Sequence, residues 1–286
     1  MSIAINGATV VAGVTGSPVR HSLSPLIHNA WLAGSGLDGV YVAFSPPPDG
    51  FRRLADGFRG GAVRGLNVTL PFKEEALALA DRASPAAEQA GAANLLLFES
   101  DGRIVADNTD GAGLLAAFRQ QAPGFEITAR PAVILGAGGA ARGAAAALLT
   151  AGVGQVRIVN RTRERADTIA DTLGAGIEVL EWGELREALI GSGCVINATS
   201  LGLDGREPLA VSLEGLQSGG VAMDMVYKPL RTAFLARAEA EGFATVDGLA
   251  MLIGQAAPAF TAFFGQEPPA DVDVRALALA ALGYAT

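Results

Sequence analysis

Short apolar runs alternate with amphipathic stretches along the chain, and this alternation predicts two sets of β-strands separated by helices. The predicted strands are 9–14, 40–44 and 65–68 in the first set and 132–135, 156–160, 178–180, 195–197, 221–225 and 244–246 in the second. Strands that alternate with helices favour a mostly parallel sheet covered by helices. The pattern therefore predicts an α/β protein with two domains.

The segment between the two sets of strands departs from the alternation of strands and helices and predicts a β-hairpin. Two apolar runs, 94–98 and 103–106, flank Asp101-Gly102, and an Asp-Gly pair in that setting is typical of a β-hairpin. A helix over 111–121 and a polar stretch over 120–130 then lead into the second set. We therefore expect the hairpin to close the first domain.

Two helical patterns, 249–264 and 272–282, follow the last predicted strand. They are amphipathic and belong to neither set of strands, so we expect them to pack back on the first domain. The predicted organisation is thus a first domain over 1–110, a second domain over 111–247, and C-terminal helices over 248–286.

Composition and charge argue against several classes of protein. The chain has 286 residues, a formal charge of -8, two histidines and one cysteine, Cys194. A net negative charge disfavours nonspecific nucleic-acid binding, which needs basic patches. One cysteine excludes an intramolecular disulfide, and no ligand spacing for zinc or iron is present. We expect neither a metal nor a nucleic-acid partner.

Membrane insertion and secretion are not expected either. No apolar run approaches the roughly 20 residues that cross a bilayer. Residues 1–7 carry no basic residues ahead of an apolar core, unlike a secretory signal. These features predict a cytoplasmic protein, and they leave its oligomeric state open between a monomer and a homodimer.

A glycine-rich turn follows the predicted strand 132–135. Its sequence is Gly136-Ala137-Gly138-Gly139-Ala140-Ala141, a G-x-G-x-x-A pattern that leads into a helix of small residues. In this context the pattern is typical of a dinucleotide fingerprint, whose glycines allow a tight turn and a close approach to a pyrophosphate. The helix N-terminus offers free amides to the phosphates. A turn that only packs well is the alternative.

The next predicted strand indicates which dinucleotide is bound. It ends in Asn160-Arg161-Thr162-Arg163, with no acidic residue at its tip. An acid there would hydrogen-bond a ribose diol and repel a 2'-phosphate, whereas a guanidinium can grip that phosphate bidentately. The run favours NADP over NAD. It is also compatible with a solvated helix start in which Thr162 is the N-cap.

A serine pair near the N-terminus is a candidate anion site. Ser22 and Ser24 stand two residues apart between prolines, and their hydroxyls could donate to one carboxylate without a buried cation. The alternative is a routine helix start, with Ser24 as N-cap and Pro25 at the first position.

Further polar residues stand at predicted strand ends. Lys73 follows the strand 65–68 and Asp110 follows the hairpin, so the two could form a proton-handling pair. The polar residues Asn67, Thr69, Asn94 and Gln255 are candidates to surround a hydroxylated ligand. Turn chemistry for the first three, and exposure to solvent for Gln255, are the alternatives.

Together these motifs resemble the shikimate dehydrogenase family in order and separation. They are Ser22-Leu23-Ser24-Pro25, Asn67-Val68-Thr69-Leu70-Pro71-Phe72-Lys73, Asn94, Asn108-Thr109-Asp110-Gly111, Gly136-Ala137-Gly138-Gly139-Ala140, Asn160-Arg161-Thr162 and Gly248-Leu249-Ala250-Met251-Leu252-Ile253-Gly254-Gln255. The resemblance extends from about residue 14 to residue 255, and the lysine and aspartate motifs are the most specific.

The resemblance implies an N-terminal substrate domain, a Rossmann-type NADP domain and C-terminal helices that return to the first domain. It implies the reversible reduction of 3-dehydroshikimate to shikimate, a step of aromatic amino-acid (chorismate) biosynthesis. By motif match, Ser22, Ser24 and Tyr227 lie at the substrate carboxylate. Thr69, Lys73, Asn94, Asp110 and Gln255 surround the ring hydroxyls, and Thr199, Met225 and Gly248 line the nicotinamide pocket.

Two positions depart from the family pattern. Ala93 stands where the family usually has valine, and Leu95 stands where it usually has threonine. Leu95 lacks the hydroxyl of that threonine, and we expect the difference to affect the preference among substrates rather than the class of reaction.

Lys73 and Asp110 are the catalytic candidates. Reduction of a ketone requires a hydride at carbon, which NADPH would supply, and a proton at oxygen, which Lys73 could supply. Which of the two residues is the formal acid-base stays open. A broader quinate/shikimate dehydrogenase is the alternative within the class, and a non-catalytic dinucleotide sensor is the alternative outside it.

Overall fold

The computed structural model describes residues 5–284, which divide into two compact units. The first unit contains the chain up to Thr109 together with the chain from Gln255 onward, and the second contains Asp110–Gly254. The sequence placed these divisions after residues 110 and 247. The second division differs because one continuous helix runs through it.

Over residues 5–109, the part of the first unit before the second, there are six strands and four helices. They are β1 (Val10–Thr15), α1 (Ser24–Ser35), β2 (Gly39–Phe44), α2 (Phe51–Gly57), β3 (Gly65–Val68), α3 (Lys73–Leu79), β4 (Arg82–Ala83), α4 (Pro85–Ala90), β5 (Leu95–Phe98) and β6 (Ile104–Asp107).

These strands form one sheet in the order β2-β1-β3-β5-β6-β4. The predicted hairpin is confirmed, because β5 pairs antiparallel with β6. Strand β5 is also antiparallel to β3, while the remaining pairs are parallel. Consequently β1, β3 and β6 run in the same direction, and their carboxyl ends lie at the same edge as the beginning of β5. That edge carries the polar motifs of the first unit.

The second unit contains the helix α5 (Asp110–Gln121) and a second alternating series. Its further elements are β7 (Ala132–Leu135), α6 (Gly139–Thr150), β8 (Val156–Asn160), α7 (Arg163–Leu173), β9 (Ile177–Glu181), a 3-10 turn (Trp182–Glu184), α8 (Leu185–Leu189), β10 (Cys194–Asn197), β11 (Val221–Asp224), α9 (Ala233–Ala240) and β12 (Ala244–Val246).

The second sheet has the order β12-β11-β10-β7-β8-β9, and every pair in it is parallel. This is the doubly wound order of dinucleotide-binding folds, in which the strand order reverses between the first and fourth strands. Here those strands are β7 and β10. A ligand is therefore expected outside their carboxyl ends, where the glycine-rich turn lies.

Two C-terminal helices complete the fold, α10 (Gly248–Phe264) and α11 (Val274–Ala281). From Gln255 onward the chain belongs to the first unit. Phe260 contacts the Trp31 ring of α1 edge-on, with centroids 5.5 Å apart. Gly34 of α1 lies so close to Val272 that an added Cβ would be 2.4 Å from the valine Cγ2. Among residues 5–284, none of the helices has the length and apolarity that a bilayer crossing requires.

Candidate active site

The loops that follow β1 and β3 are held against each other at the polar edge of the first sheet. Thr69 donates its backbone amide to the Thr15 carbonyl at 2.9 Å, and Ser17 donates to the Leu70 carbonyl at 3.1 Å. A Cβ at Gly16 would be 2.4 Å from the Thr69 Cγ2, so a glycine is needed there. The half-buried Thr69 is thereby placed beside the serine loop.

Ser22 and Ser24 lie at the junction of that loop with α1. Ser24 is buried, Ser22 is half-buried, and the Ser24 amide donates to the Ser22 Oγ at 3.2 Å. Leu23, rather than Ser24, takes the N-cap position of the helix. The alternative of Ser24 as a simple N-cap is therefore wrong.

Lys73 is the first residue of α3 and is half-buried. Its carbonyl accepts a hydrogen bond from the Ala93 amide at 2.9 Å, which fixes the start of α3 beside the beginning of β5. A lysine at a helix N-terminus opposes the helix dipole, so the position has no intrinsic helical advantage. Asp110 follows β6 and opens α5 as the first residue of the second unit, where it is half-buried.

Asn94, Thr109 and Gln255 form a buried hydrogen-bonded cluster in the first unit. Asn94 donates its Nδ2 to the Thr109 Oγ1 at 3.0 Å and to the Gln255 Oε1 at 3.3 Å. In return, the Thr109 amide donates to the Asn94 Oδ1 at 2.8 Å. Gln255 is 8% exposed, so the alternative of a solvent-facing glutamine is wrong. The sequence placed Asn94 and Gln255 in one site, and the structure brings them together.

The crevice of the second unit begins at Gly136. This residue has a φ of 109°, in the region that favours glycine. An added Cβ would also meet the Thr199 Cγ2 at 3.0 Å. By contrast, no atom would lie within 4 Å of a Cβ on Gly138 or Gly139, so the backbone there is open to a ligand. Ala140 is also exposed, and the N-terminus of α6 faces outward at this turn.

A cavity of about 290 Å³ extends from the glycine turn towards the end of β8. Its lining residues are Gly136, Ala137, Gly138, Asn160, Arg161, Arg165, Trp182, Ala198, Thr199, Ser200 and Leu201. Arg161 and Arg165 are exposed cations at one end, while the glycine turn lies at the other. The cavity thus joins a phosphate-binding turn to a pair of arginines.

Thr162 and Arg163 do not line this cavity. Thr162 occupies the N-cap position of α7 without a side-chain cap bond. Arg163 points along the helix and forms an exposed ion pair with Asp167, with 3.7 Å between the Arg163 Nε and the Asp167 Oδ2. Asn160 donates its Nδ2 to the Thr162 carbonyl at 2.8 Å, which shapes the turn.

Thr199 is held by the loop after β10. Its amide and its hydroxyl both donate to the Asn197 Oδ1, at 3.0 and 2.7 Å. Asn197 in turn donates its Nδ2 to the Asp224 Oδ1 at 2.9 Å. The side chain of Thr199 is therefore fixed in the cavity wall by residues at the ends of two strands.

Asp224 is a fully buried carboxyl at the end of β11. It accepts hydrogen bonds from the Thr232 hydroxyl at 2.7 Å and from the Val226 amide at 2.9 Å. Burial nevertheless raises the pKa of Asp224 to about 6, with the hydrogen bonds acting in the opposite direction. The half-buried Met225 follows directly. Gly248 packs on it so closely that a Cβ would be 2.4 Å from the Met225 carbonyl oxygen.

Tyr227 and His28 are two aromatic side chains whose burial shifts their titration. Burial raises the pKa of the Tyr227 phenol, which stays a neutral donor. Burial lowers the pKa of His28 to about 3. Within residues 5–284, neither ring nitrogen of His28 has a hydrogen-bond partner. His28 is therefore a neutral, stacked ring in the core of the first unit.

Several residues of these clusters were not selected from the sequence. Arg165 could have been found, since it continues the run of arginines at positions 161, 163 and 165. Trp182 had no motif, although it directly follows the third strand of the Rossmann order. Thr109 stood in the Asn108-Thr109-Asp110-Gly111 motif without being selected as a site residue. Tyr41 and Asp224 were not selected either, since their side-chain partners Asn67, Asn197 and Thr232 come from other parts of the chain.

The second unit fits a phosphorylated dinucleotide on its own geometry. The open glycine turn offers backbone amides at a helix N-terminus, which favours a pyrophosphate. Arg161 and Arg165 line the end of the cavity beyond β8, where the ribose of a bound dinucleotide lies in this fold. The cavity therefore suits NADP.

Comparison with known proteins agrees with these features. Three family models match the chain: "Shikimate dehydrogenase substrate binding domain" over residues 14–96, "Shikimate / quinate 5-dehydrogenase" over 119–203, and "Shikimate 5'-dehydrogenase C-terminal domain" over 248–278. The chain is 58% identical over 283 residues to a shikimate dehydrogenase (NADP(+)) from Caulobacter vibrioides, with 99% of each chain covered.

Solved structures are similar as well. A shikimate 5-dehydrogenase from Thermus thermophilus, in complex with NADP(H) and shikimate, is 38% identical with a TM-score of 0.83, over 95% of this chain and 100% of that one. A quinate dehydrogenase from Corynebacterium glutamicum, in complex with NAD, is 28% identical with a TM-score of 0.85, over 96% and 99%. The chain belongs to the shikimate dehydrogenase family.

Proposed function

We propose that the protein is an NADP-dependent shikimate dehydrogenase that reversibly reduces 3-dehydroshikimate to shikimate in aromatic amino-acid (chorismate) biosynthesis. The observation that carries the proposal is the pairing of two features in one chain. The first unit holds a serine loop, Lys73 and a buried amide cluster at one sheet edge, and the second holds an NADP-type crevice. The high identity to a relative named for this activity supports it.

The first unit supplies the substrate-binding groups in this proposal. Ser22 and Ser24 donate to the substrate carboxylate, and a neutral donor pair avoids the cost of an unpaired buried charge. Thr69, Asn94 and Gln255 face the ring hydroxyls. The two amide groups are already ordered by the Thr109 cluster, so little rotamer entropy is lost when the ring binds. By motif match, Tyr227 is assigned to the carboxylate as a neutral phenol.

The second unit supplies the cofactor-binding groups. Gly136, Ala137, Gly138, Gly139 and Ala140 bind the pyrophosphate through backbone amides. Arg161 and Arg165 bind the 2'-phosphate, with Asn160 shaping their turn and with Thr162 and Arg163 retained as neighbouring candidates. Thr199, Met225 and Gly248 line the nicotinamide pocket. When bound, NADPH supplies the hydride.

Lys73 and Asp110 handle the proton. In the direction of reduction, Lys73 donates a proton to the oxygen of the ketone or stabilises the developing oxyanion, and in oxidation it takes the proton back. Asp110 accepts a hydrogen bond from a ring hydroxyl. The half-buried position of Lys73 at the polar sheet edge makes its ammonium group available to a ligand there.

The test is shikimate-dependent formation of NADPH by the purified protein, followed by absorbance, beside reactions with quinate and with NAD. We expect the highest kcat/KM with shikimate and NADP. A higher kcat/KM with quinate would assign the protein to the broader quinate/shikimate class. Tight NADP binding without turnover of either alcohol would overturn the proposal in favour of a dinucleotide sensor.

Two further expectations belong to the same proposal. We assign the enzyme to the cytoplasm, and we expect a monomer or a homodimer. Cell fractionation and size-exclusion chromatography with light scattering test these two points independently of activity.

A further inference from the structure

Asp224 of β11 lies between two segments that the proposed function assigns to the nicotinamide. One is the loop after β10, which contains Thr199, and the other is the segment 225–226 after β11, which contains Met225. Asn197 and Asp224 are partners in the register of β10 and β11, and both are 0% exposed. The carboxyl group therefore lies where the two segments leave the sheet.

The Asn197 side chain uses all of its hydrogen-bonding capacity inside the protein. Its Nδ2 donates to the Asp224 Oδ1 at 2.9 Å and to the Leu201 carbonyl at 3.2 Å. Its Oδ1 accepts from the amide and from the hydroxyl of Thr199, at 3.0 and 2.7 Å. An amide side chain has two protons to donate and two lone pairs that accept, and all four are used here. An ionised carboxylate and a carbonyl only accept, so they determine which way the Asn197 amide faces.

The orientation of Asn197 determines which group Thr199 presents to the cavity. The Thr199 hydroxyl donates to the Asn197 Oδ1 and accepts from the Leu201 amide at 3.1 Å, so its proton is used inside the protein. Its methyl carbon Cγ2 lies towards the glycine turn, where an added Cβ on Gly136 would be 3.0 Å away. Thr199 thus offers an apolar surface to the cavity, and such a wall suits the flat face of a nicotinamide ring.

The same carboxyl oxygen also fixes the second segment. The Asp224 Oδ1 accepts from the Val226 amide at 2.9 Å. One residue earlier, the Met225 amide donates to the Asn197 carbonyl at 3.1 Å, which ties this segment to the neighbouring strand. One oxygen atom is thus bonded to both segments, and the distance between Thr199 and Met225 depends on it.

The other carboxyl oxygen has a separate partner. The Asp224 Oδ2 accepts from the Thr232 hydroxyl at 2.7 Å. Thr232 is the N-cap of α9, where its oxygen accepts from the Leu235 amide at 3.2 Å. This bond attaches α9 to the sheet and involves no residue assigned to the cofactor. The two oxygens therefore allow positioning of the cofactor and stability of the fold to be tested apart.

We propose that Asp224 is a positioning residue for the nicotinamide, because its Oδ1 holds the Thr199 loop and the segment 225–226 at a fixed separation. The inference rests on the proposed function and extends it to a buried residue that touches neither substrate nor cofactor. Hydride transfer needs the reacting atoms about 3 to 3.5 Å apart with aligned orbitals, so a small displacement of the ring slows the reaction. The adenosine end of the cofactor is bound at the arginine end of the crevice and does not depend on this oxygen.

The experiment compares the binding of two ligands to Asp224→Ala. NADP carries the nicotinamide, whereas adenosine 2',5'-bisphosphate carries only the adenosine end with its 2'-phosphate. We expect the Kd for NADP to rise roughly five- to tenfold, as for loss of one hydrogen bond, and the Kd for the bisphosphate to stay the same. We also expect kcat for shikimate oxidation to fall about tenfold or more. A shift of both Kd values by the same factor, or of neither, would overturn the inference.

Two variants at the same carboxyl group serve as controls. Thr232→Val removes the bond to the Oδ2 and the cap of α9, so we expect a lower Tm with the Kd for NADP unchanged. Asp224→Asn keeps an oxygen that faces Asn197 and Val226, and its nitrogen can donate to the Thr232 oxygen. We expect Asp224→Asn to recover most of the wild-type affinity for NADP. A loss of NADP affinity in Thr232→Val equal to that in Asp224→Ala would show that the role of the carboxyl group is structural.

A further variant covers the case in which Asp224→Ala does not fold. Thr199→Val keeps the shape of the side chain and removes the hydroxyl that Asn197 holds. We expect the same selective loss of NADP affinity, and equal affinity in Thr199→Val and the wild type would contradict the inference. Calorimetry measures binding independently of turnover. Wild-type protein that binds NADP but oxidises neither shikimate nor quinate would overturn the proposed function and leave this binding test intact.

Discussion

The cluster of Asn94, Thr109 and Gln255 in the first unit is buried and hydrogen-bonded within itself, whereas the arginines that line the crevice of the second unit are exposed. Asn94 is 3% exposed and Thr109 is 4% exposed, and both donate to neighbours in the same cluster. Arg161 and Arg165 instead lie at the surface of their cavity. The first unit thus holds its amide cluster by internal hydrogen bonds, while the second combines a tight glycine turn with exposed guanidinium groups.

This difference matches the two ligands proposed. A small ring with three hydroxyls offers few contacts, so each must be placed in advance to gain affinity and specificity. A dinucleotide is long and carries phosphates, so backbone amides and flexible cations can bind it through charge. The predictions below test this contrast, beginning with the largest expected effect.

Lys73→Ala should separate chemistry from cofactor binding. We expect kcat for shikimate oxidation to fall by about 10²- to 10⁴-fold, the range for loss of a general acid-base group, with the Kd for NADP unchanged. Steady-state kinetics and calorimetry measure the two quantities. Lys228 is the only other lysine of the chain and is exposed, so Lys228→Ala is the matched control. Wild-type turnover in Lys73→Ala would end the catalytic assignment.

The double substitution Ser22→Ala/Ser24→Ala should remove the proposed hydrogen bonds from the first unit to the substrate carboxylate. Loss of two bonds to a charged group should raise the KM for shikimate roughly 100-fold, with a smaller change in kcat. Ser100→Ala, at the exposed hairpin turn, serves as the control. An unchanged KM in the pair would refute the carboxylate role.

The double substitution Arg161→Ala/Arg165→Ala should weaken the binding of the NADP 2'-phosphate in the crevice of the second unit. We expect the Kd for NADP to rise roughly 10- to 100-fold while the Kd for NAD stays the same, because only NADP carries the 2'-phosphate. Arg186→Ala removes an exposed arginine paired with Glu214 and is the control. The single variant Arg163→Ala tests the sequence prediction for that residue. A preference for NADP that survives loss of both Arg161 and Arg165 would disprove the assignment of these arginines to the 2'-phosphate.

His28 should make the first unit sensitive to acid. Its pKa is about 3 in the folded protein and 6.5 in the unfolded chain, so only the unfolded chain gains a proton as the pH falls below 6.5. Between pH 6.5 and about pH 4.5 this should lower the free energy of unfolding by about 2 kcal/mol. His28→Phe should reduce that acid-dependent loss in urea titrations, compared with the exposed His21→Phe. Equal slopes in wild type and His28→Phe would contradict the neutral buried ring.

Asp224 should give the second unit the opposite dependence. Its pKa is about 6 when folded and 3.8 when unfolded, so the folded protein holds the extra proton between these values. Its contribution to stability is fully present below pH 3.8 and is lost as the pH rises through 6. Asp224→Asn should remove this component, which we estimate at about 1 to 3 kcal/mol. Denaturant titrations across that range measure it, and an identical pH profile in wild type and Asp224→Asn would contradict it.

The elements of both units were largely predictable, because their periodicity is local. The strands 65–68, 132–135, 156–160 and 244–246 were predicted at their observed bounds. The two-residue strand β4 was missed, since two residues carry no periodic pattern. The hairpin was predicted from its Asp-Gly turn, but the sequence did not indicate that β5 would also pair antiparallel with β3.

The candidate site residues were likewise predictable where neighbouring residues define a motif, and not where the tertiary structure decides. Lys73, Asn94 and the glycine turn stand in motifs that neighbouring residues define, so they could be selected from the sequence. Arg165 was passed over in favour of Arg163, because only the orientation of α7 decides which arginine lines the cavity. Their roles in binding and catalysis stay predictions until the variants above are measured.

By itself, the sequence determined the alternation of strands and helices, the dinucleotide turn, the absence of an acid at the tip of β8 and the family. These properties depend on residues that are close along the chain. The tertiary structure alone decided that Asn94 meets Gln255, 161 positions away, and that Tyr41 meets Asn67, 26 positions away. A hydrogen bond needs two groups within about 3 Å, and between residues so distant in sequence only the folded chain sets that distance.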